Sequence, residues 1–202
     1  LKKKDYLKPE DTYMKNIIQR ASLIMLGLIP AVSQAHPGHD QHSGFSAGFL
    51  HPFTGLDHMI MALALGVLLW SAARQWKILG MASMATALVF GFVLGQQQLF
   101  SSSLAEYGII ASLLMVTLAL WSKSRIILPV ATALLVTFHG IAHGNELGHS
   151  GHIAGLVSGM IIAMSLIYTA GLGLGALITR YIPYGKKIVG ACAAIVALIG
   201  LA

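Results

Sequence analysis

The stretch IAGLVSGMIIAMSLIYTAGLGLGALIT, Ile153 to Thr179, contains no Asp, Glu, Lys or Arg. About 20 apolar residues wound as a helix cross the hydrocarbon core of a bilayer, and this run exceeds that length. Five more apolar segments of near-spanning length occupy about 55–73, 77–95, 105–122, 126–143 and 187–202. The last is short for a full span. None shows the strict alternation of a membrane β-barrel strand, and an open sheet leaves its backbone groups unsatisfied in lipid. The fold expected is all-α, a polytopic bundle of six transmembrane helices.

The composition agrees. Of 202 residues, 56% are apolar and only 10% are charged, with a mean hydropathy of +0.75, whereas a soluble domain carries about 25% charged residues. The net charge of +6 is no footprint for nucleic acid, because the basic residues sit in the first 20 positions and in short connections. A single cysteine, Cys192, excludes a disulfide framework and any thiolate cluster built within one subunit.

Residues 1–13, LKKKDYLKPEDTY, are polar and read as an upstream extension of the true start. Residues 14–35 read as a secretory signal: Lys15 and Arg20 form the basic part, Ala21 to Val32 the apolar core, and Ser33-Gln34-Ala35 the small-residue cleavage site. An uncleaved first transmembrane helix is the alternative. Cleavage after Ala35 leaves a His-rich outer segment, 36–54, ahead of a six-helix domain, 55–202. Beyond residue 35, Lys and Arg occur only at Arg74, Lys77, Lys123, Arg125, Arg180, Lys186 and Lys187, all in alternate connections. With the basic side cytoplasmic, both termini face outward, and a cleaved signal independently demands an outer N-terminus.

On this topology all nine histidines, with Asp57, Glu106 and Glu146, fall in outer connections or at the outer ends of helices. An ionisable group at the centre of a membrane helix costs about 2.5–3.5 kcal/mol on insertion scales, so such groups need partners or water. Phe138-His139-Gly140-Ile141-Ala142-His143-Gly144-Asn145-Glu146 closes the fourth span. Its His139, His143 and Glu146 are spaced i, i+4, i+7, one face of a continuing helix. Two imidazoles one turn apart suit a divalent ion that a carboxylate completes; a histidine pair hydrogen-bonded to neighbouring helices is the ordinary alternative.

His51-Pro52-Phe53-Thr54-Gly55-Leu56-Asp57-His58 opens the first span. Pro52 is placed at a helix start, and a kink at Gly55 brings His51 back toward Asp57 and His58. Asp57 orients an imidazole by accepting its second ring proton, or else it caps the helix. Glu106 at the head of the third span is a third carboxylate, a charge at the mouth, or a residue favoured by the helix dipole. His36, His39 and His42 form an imidazole-rich tract suited to collecting metal, with His149 and His152 extending that collar or simply solvated. The methionines read as packing, and Gly91-x3-Gly95 and Gly155-x3-Gly159 as close helix contacts.

HPFTGLDH and FHGIAHGNE together resemble the paired signatures of the HupE/UreJ nickel/cobalt permeases, a resemblance extending over nearly all of the chain beyond the signal. It implies entry of nickel or cobalt across the bacterial inner membrane, and assigns metal handling to His51, Asp57, His58, Glu106, His139, His143 and Glu146. The chain departs from the family where members carry a histidine in the fifth span and it has Tyr168, and in its 147–152 connection. The ion is then transported substrate, with zinc also compatible and no permanently bound cofactor. The partners are that ion and the lipid bilayer, and a homo-oligomer is compatible. Two other readings stand beside transport: a membrane-embedded zinc hydrolase, with three ligands and an activated water, and a metal-binding accessory or sensor subunit.

Overall fold

The computed structural model describes residues 44–122, 127–147 and 152–201, all within the unit His39–Ala202. They form seven helices and, among the described residues, no strand: α1 (Phe45–Thr54), α2 (Leu56–Leu69), α3 (Arg74–Gln96), α4 (Ser102–Trp121), α5 (Ile127–Leu147), α6 (Ile153–Tyr181) and α7 (Gly185–Ile199). Helices α2 to α7 take up the six apolar segments in order. By length and composition α3, α4 and α6 are sufficient to cross a membrane, and the bent pair α1–α2 adds a fourth if counted as one span. At 15 residues, α7 falls short of the roughly 20 needed.

Local sequence sets the breaks. Ser101 caps α4 by accepting the Leu104 N–H at 3.3 Å, relieving one of the orphan donors of the first turn. α6 stops at Ile182, whose φ of −122° and ψ of 102° are the extended values that Pro183 imposes on its predecessor.

The helix α1 departs from expectation. The segment 36–54 reads as a polar outer tract, yet its second part is a ten-residue helix with Pro52 inside it, not at its start. Proline in a helix interior removes a bond to the carbonyl four residues back, here that of Gly48. The position is held because Gly48 packs directly on the Leu156 carbonyl of α6, and Gly159 of α6 on the Phe45 carbonyl. The chain then breaks at Gly55 and turns 79° into α2.

Backbone-close contacts at glycine hold the other helices. Gly91 and Gly95 of α3 lie against the Thr137 and Ile141 carbonyls of α5, while Gly140 and Gly144 of α5 lie against the Leu88 and Phe92 carbonyls of α3. This reciprocal arrangement is the small-xxx-small packing of membrane helices. Gly66 of α2 and Gly171 of α6 form a similar pair, against the Tyr168 and Leu63 carbonyls. α7 docks on α4 through polar contacts: Thr117 Oγ1 donates to the Gly190 carbonyl and Trp121 Nε1 to the Lys187 carbonyl, both at 2.9 Å.

The two ends of the bundle differ in chemistry. At one end, Asn145 Nδ2 of α5 donates to the Phe100 carbonyl at 3.2 Å, and the start of α2 meets the end of α5. At the other, the Tyr168 hydroxyl donates to the Lys77 carbonyl at 2.8 Å, Lys186 Nζ to Ser71 Oγ at 3.1 Å, and Lys77 Nζ lies 4.2 Å from the Trp70 ring centroid. The charge segregation expected from sequence is therefore present in the described chain, while Lys123 and Arg125 lie outside it.

Candidate metal centre

The break at Gly55 positions half of the site. Its φ of −86° is open to any residue; what glycine supplies is room. A Cβ at this position would lie 2.8 Å from His58 Nδ1 and 3.0 Å from Asp57 Oδ1. Those two atoms are themselves hydrogen-bonded at 3.0 Å, so Gly55→Ala is expected to part them. The check is weaker nickel or cobalt binding by a variant that keeps its helical circular dichroism.

The other half comes from α5. His139 and His143 are one turn apart, and the glycines that follow them, Gly140 and Gly144, turn a neighbouring face onto α3. Fixing that glycine face on a rigid neighbour aims the histidine face at α2. His58 Nε2 and His143 Nε2 lie 2.7 Å apart, and His139 Nε2 is 3.6 Å from Asp57 Oδ2. His51, carried back by the bend, stands edge-on to His143 with ring centroids at 4.5 Å and to His58 at 5.1 Å; His139 meets His58 at 4.7 Å.

The proton bookkeeping follows from these contacts. With Nδ1–H of His58 donating to Asp57, a neutral His58 presents a bare lone pair at Nε2. His143 Nε2–H fills it, leaving His143 Nδ1 bare, and that buried atom has no partner. His51 Nε2 and both ring nitrogens of His139 are likewise buried without a hydrogen-bond partner. Buried polar atoms are nearly always satisfied, and leaving one unpaired costs about 1–3 kcal/mol. Unpartnered ring nitrogens on His51, His139 and His143, residues that each offer a donor atom to a cluster of three, fit a group that accepts several lone pairs at once. A divalent cation is such a group.

Geometry supports the same identity. Among the described residues, two sets of three donors lie with ligand atoms within 4.8 Å of one another: His51, His58 and His143, and Asp57, His58 and His139. At metal–nitrogen lengths of about 2.0–2.1 Å, two tetrahedral ligands sit about 3.3 Å apart. The 2.7 Å His58–His143 contact is therefore the length of a ring-to-ring hydrogen bond, and the pair would have to open by about 0.6 Å to hold an ion between them. Asp57 behind His58 is the carboxylate–histidine arrangement that fixes ring orientation at metal sites.

Five of the residues singled out from sequence thus converge: His51, Asp57, His58, His139 and His143. Glu106 and Glu146 belong to neither set and are exposed. The i, i+7 spacing does put Glu146 on the face of His139, but two turns is about 10 Å of rise, which carries its carboxylate beyond the buried layer. His152 is exposed at the start of α6. His36, His39, His42 and His149 lie outside the described residues. Tyr168 is remote from the cluster: its backbone packs on Gly66, about 12 Å along α2 from His58, so the missing fifth-span histidine does not leave a gap among these ligands. The kink expected at Gly55 is present, while the packing role of Gly140 and Gly144 goes beyond the sequence expectation, although the doubled His-Gly at i and i+4 carries the signal.

Fold and site define a helical membrane protein that gathers imidazoles and a carboxylate from separate helices at one end of the bundle. The family model described as HupE / UreJ protein matches residues 23–202. A curated relative, "Protein HupE" of Rhizobium leguminosarum bv. viciae, is 30% identical over 179 residues, covering 86% of this chain and 91% of the relative. The chain belongs to the HupE/UreJ family. No solved structure matches it significantly.

Proposed function

We propose that this protein carries a divalent transition-metal cation, nickel or cobalt in the first place, across the bacterial inner membrane into the cytoplasm. The observation that carries the reading is the convergence of His51, Asp57, His58, His139 and His143 from three helices, with buried ring nitrogens left unpartnered among the described residues. Imidazole and carboxylate suit nickel, cobalt and zinc, and the absence of thiolates at the site disfavours a soft copper(I) route. A ligand set split between helices can be opened by moving one helix against another. A broken helix whose ends meet the substrate, as α1 and α2 do at Gly55, is a recurrent device of membrane transporters.

In this reading α2 to α7 are six spans with α1 folded in at the outer surface, α7 lying short or shallow. The basic end is cytoplasmic, and residues 14–35 act as a signal. The ion arrives hydrated at the His/Asp end and exchanges water for imidazole. An inside-negative potential then favours its passage by about 2.3 kcal/mol per charge per 100 mV, twice that for a dication.

Glu106 and Glu146, exposed at this end, serve as mouth charges that raise the local cation concentration. Glu146→Gln is expected to raise the apparent KM for uptake several-fold with little change in maximal rate, and to do so less at high ionic strength. Initial-rate uptake at two salt concentrations checks it.

The hydrolase reading has the three-donor sets in its favour, since each leaves a coordination position for water. It requires substrate turnover without ion flux. The deciding experiment is radiolabelled nickel and cobalt uptake into cells carrying the wild type or Asp57→Ala, His139→Ala or His143→Ala. Transport predicts accumulation only with the wild type. Equal accumulation by correctly inserted variants would remove these residues from the path.

A further inference from the structure

The two donor sets have one member in common. His58 presents Nε2 to His143 at 2.7 Å and Nδ1 to Asp57 at 3.0 Å, so its two nitrogens face different sets. We propose that the cluster is two overlapping ion stations sharing His58, occupied in turn: His51/His58/His143 first, then Asp57/His58/His139. This rests on the metal-handling reading above.

Depth orders them. His139 lies one turn, about 6 Å, further from the α5 end than His143 and is fully buried, whereas His51 is only partly so. Chemistry orders them the same way. The first station is three neutral imidazoles, able to replace water without holding a dication by charge. The second adds a carboxylate, which compensates the ion's charge where less water remains.

The shared ring makes occupancy exclusive. At the first station His58 binds the ion through Nε2, with Nδ1–H donating to Asp57, and the His143 proton moves to its own unpartnered Nδ1. At the second, Nδ1 of His58 and the Asp57 carboxylate take the ion. The His58 proton then sits on Nε2, where His143 accepts it. Each imidazole keeps one proton throughout, so the transfer exchanges ligands and tautomers without a net proton gain or loss at the cluster. Conduction needs binding that is firm enough to enter and weak enough to leave, and two partial sites separated by one ring meet that need better than one site with five ligands.

The test is titration of the purified full chain in detergent with Co2+ and with Ni2+, reading stoichiometry by equilibrium dialysis and ligand field by visible absorption. The wild type is expected to bind one ion per chain. His51→Ala and His139→Ala should each still bind one ion, with shifted and mutually different Co2+ spectra, because each leaves the other station intact. His58→Ala and the double variant His51→Ala/His139→Ala should lose binding, with helical circular dichroism and gel-filtration position confirming the fold. Loss of binding in both single variants as complete as in His58→Ala would show one composite site and overturn the proposal while leaving the transport reading standing. Two ions per wild-type chain would overturn the sharing of His58. No binding by the wild type would overturn both this proposal and the reading beneath it.

Discussion

His58→Ala is expected to abolish metal uptake, with residual transport at the level of cells lacking the protein. His58 is the one residue present in both donor sets, so among the described residues no three-donor group survives its removal. Outer-shell partners of a metal ligand are alone worth about 10–100-fold in affinity, and a direct ligand common to both sets should exceed that. Removal also leaves the buried His143 Nε2 without its partner, which costs about 1–3 kcal/mol of stability. The variant should be less stable as well as inactive. Running His51→Ala beside it separates the two effects: that change removes a ring whose Nε2 already lacks a partner, so it should reduce uptake with little loss of thermal stability. Uptake measured per folded molecule, after correction for the amount recovered in the membrane, is the check.

Gly140→Val is expected to disrupt the bundle itself. A Cβ at residue 140 meets the Leu88 carbonyl, and comes within 2.7 Å of the Phe92 nitrogen and 2.9 Å of the Gly91 Cα. These are backbone atoms with no side-chain end to swing aside, so α3 and α5 must separate along their closest line of contact. Overpacking a core typically costs about 1–3 kcal/mol, and a backbone clash that no rotamer relieves belongs at the upper end or above. His139 and His143, on either side of Gly140, lose their aim together. The expected result is a several-degree fall in the thermal midpoint of the detergent-solubilised protein, or failure to accumulate. Gly173→Ala is the control. Nothing lies within 4 Å of a Cβ at that exposed helical position, so it should be neutral or stabilise the helix by about 0.5–1 kcal/mol. If both variants melt alike, close glycine packing is not what aligns the histidine pair.

The apolar runs are visible because a helix in lipid must be apolar around most of its surface, and helices α2 to α7 fall on them within a few residues. α5 continues to Leu147, past the expected end near 143, because Gly144 has its own seat on α3. That contact belongs to the partner helix and leaves no trace in local hydropathy. α1 is illegible for a related reason: the sequence places Pro52 at a helix start, and the packing of Gly48 on α6 that accompanies a helix with Pro52 inside it is a tertiary contact.

In the site, side-chain type and spacing predicted the His139/His143 face and the return of His51. They did not predict depth. Glu146 shares an angular position with His139 yet lies two turns along α5 from it and is exposed, and Glu106 is exposed at the head of α4. The close pairing of His58 with His143, 85 positions apart, is tertiary information that neither motif contains by itself.

Transport is separated from mere binding by ion flux through the purified protein in proteoliposomes, with radiolabelled nickel or cobalt outside and an inside-negative potential imposed. Time-dependent accumulation in the lumen is expected, rising with the imposed potential, saturating with ion concentration, and disappearing in His58→Ala. Stoichiometric metal binding by the wild type without accumulation would contradict it, making the cluster a sensor or catalytic site and not a path.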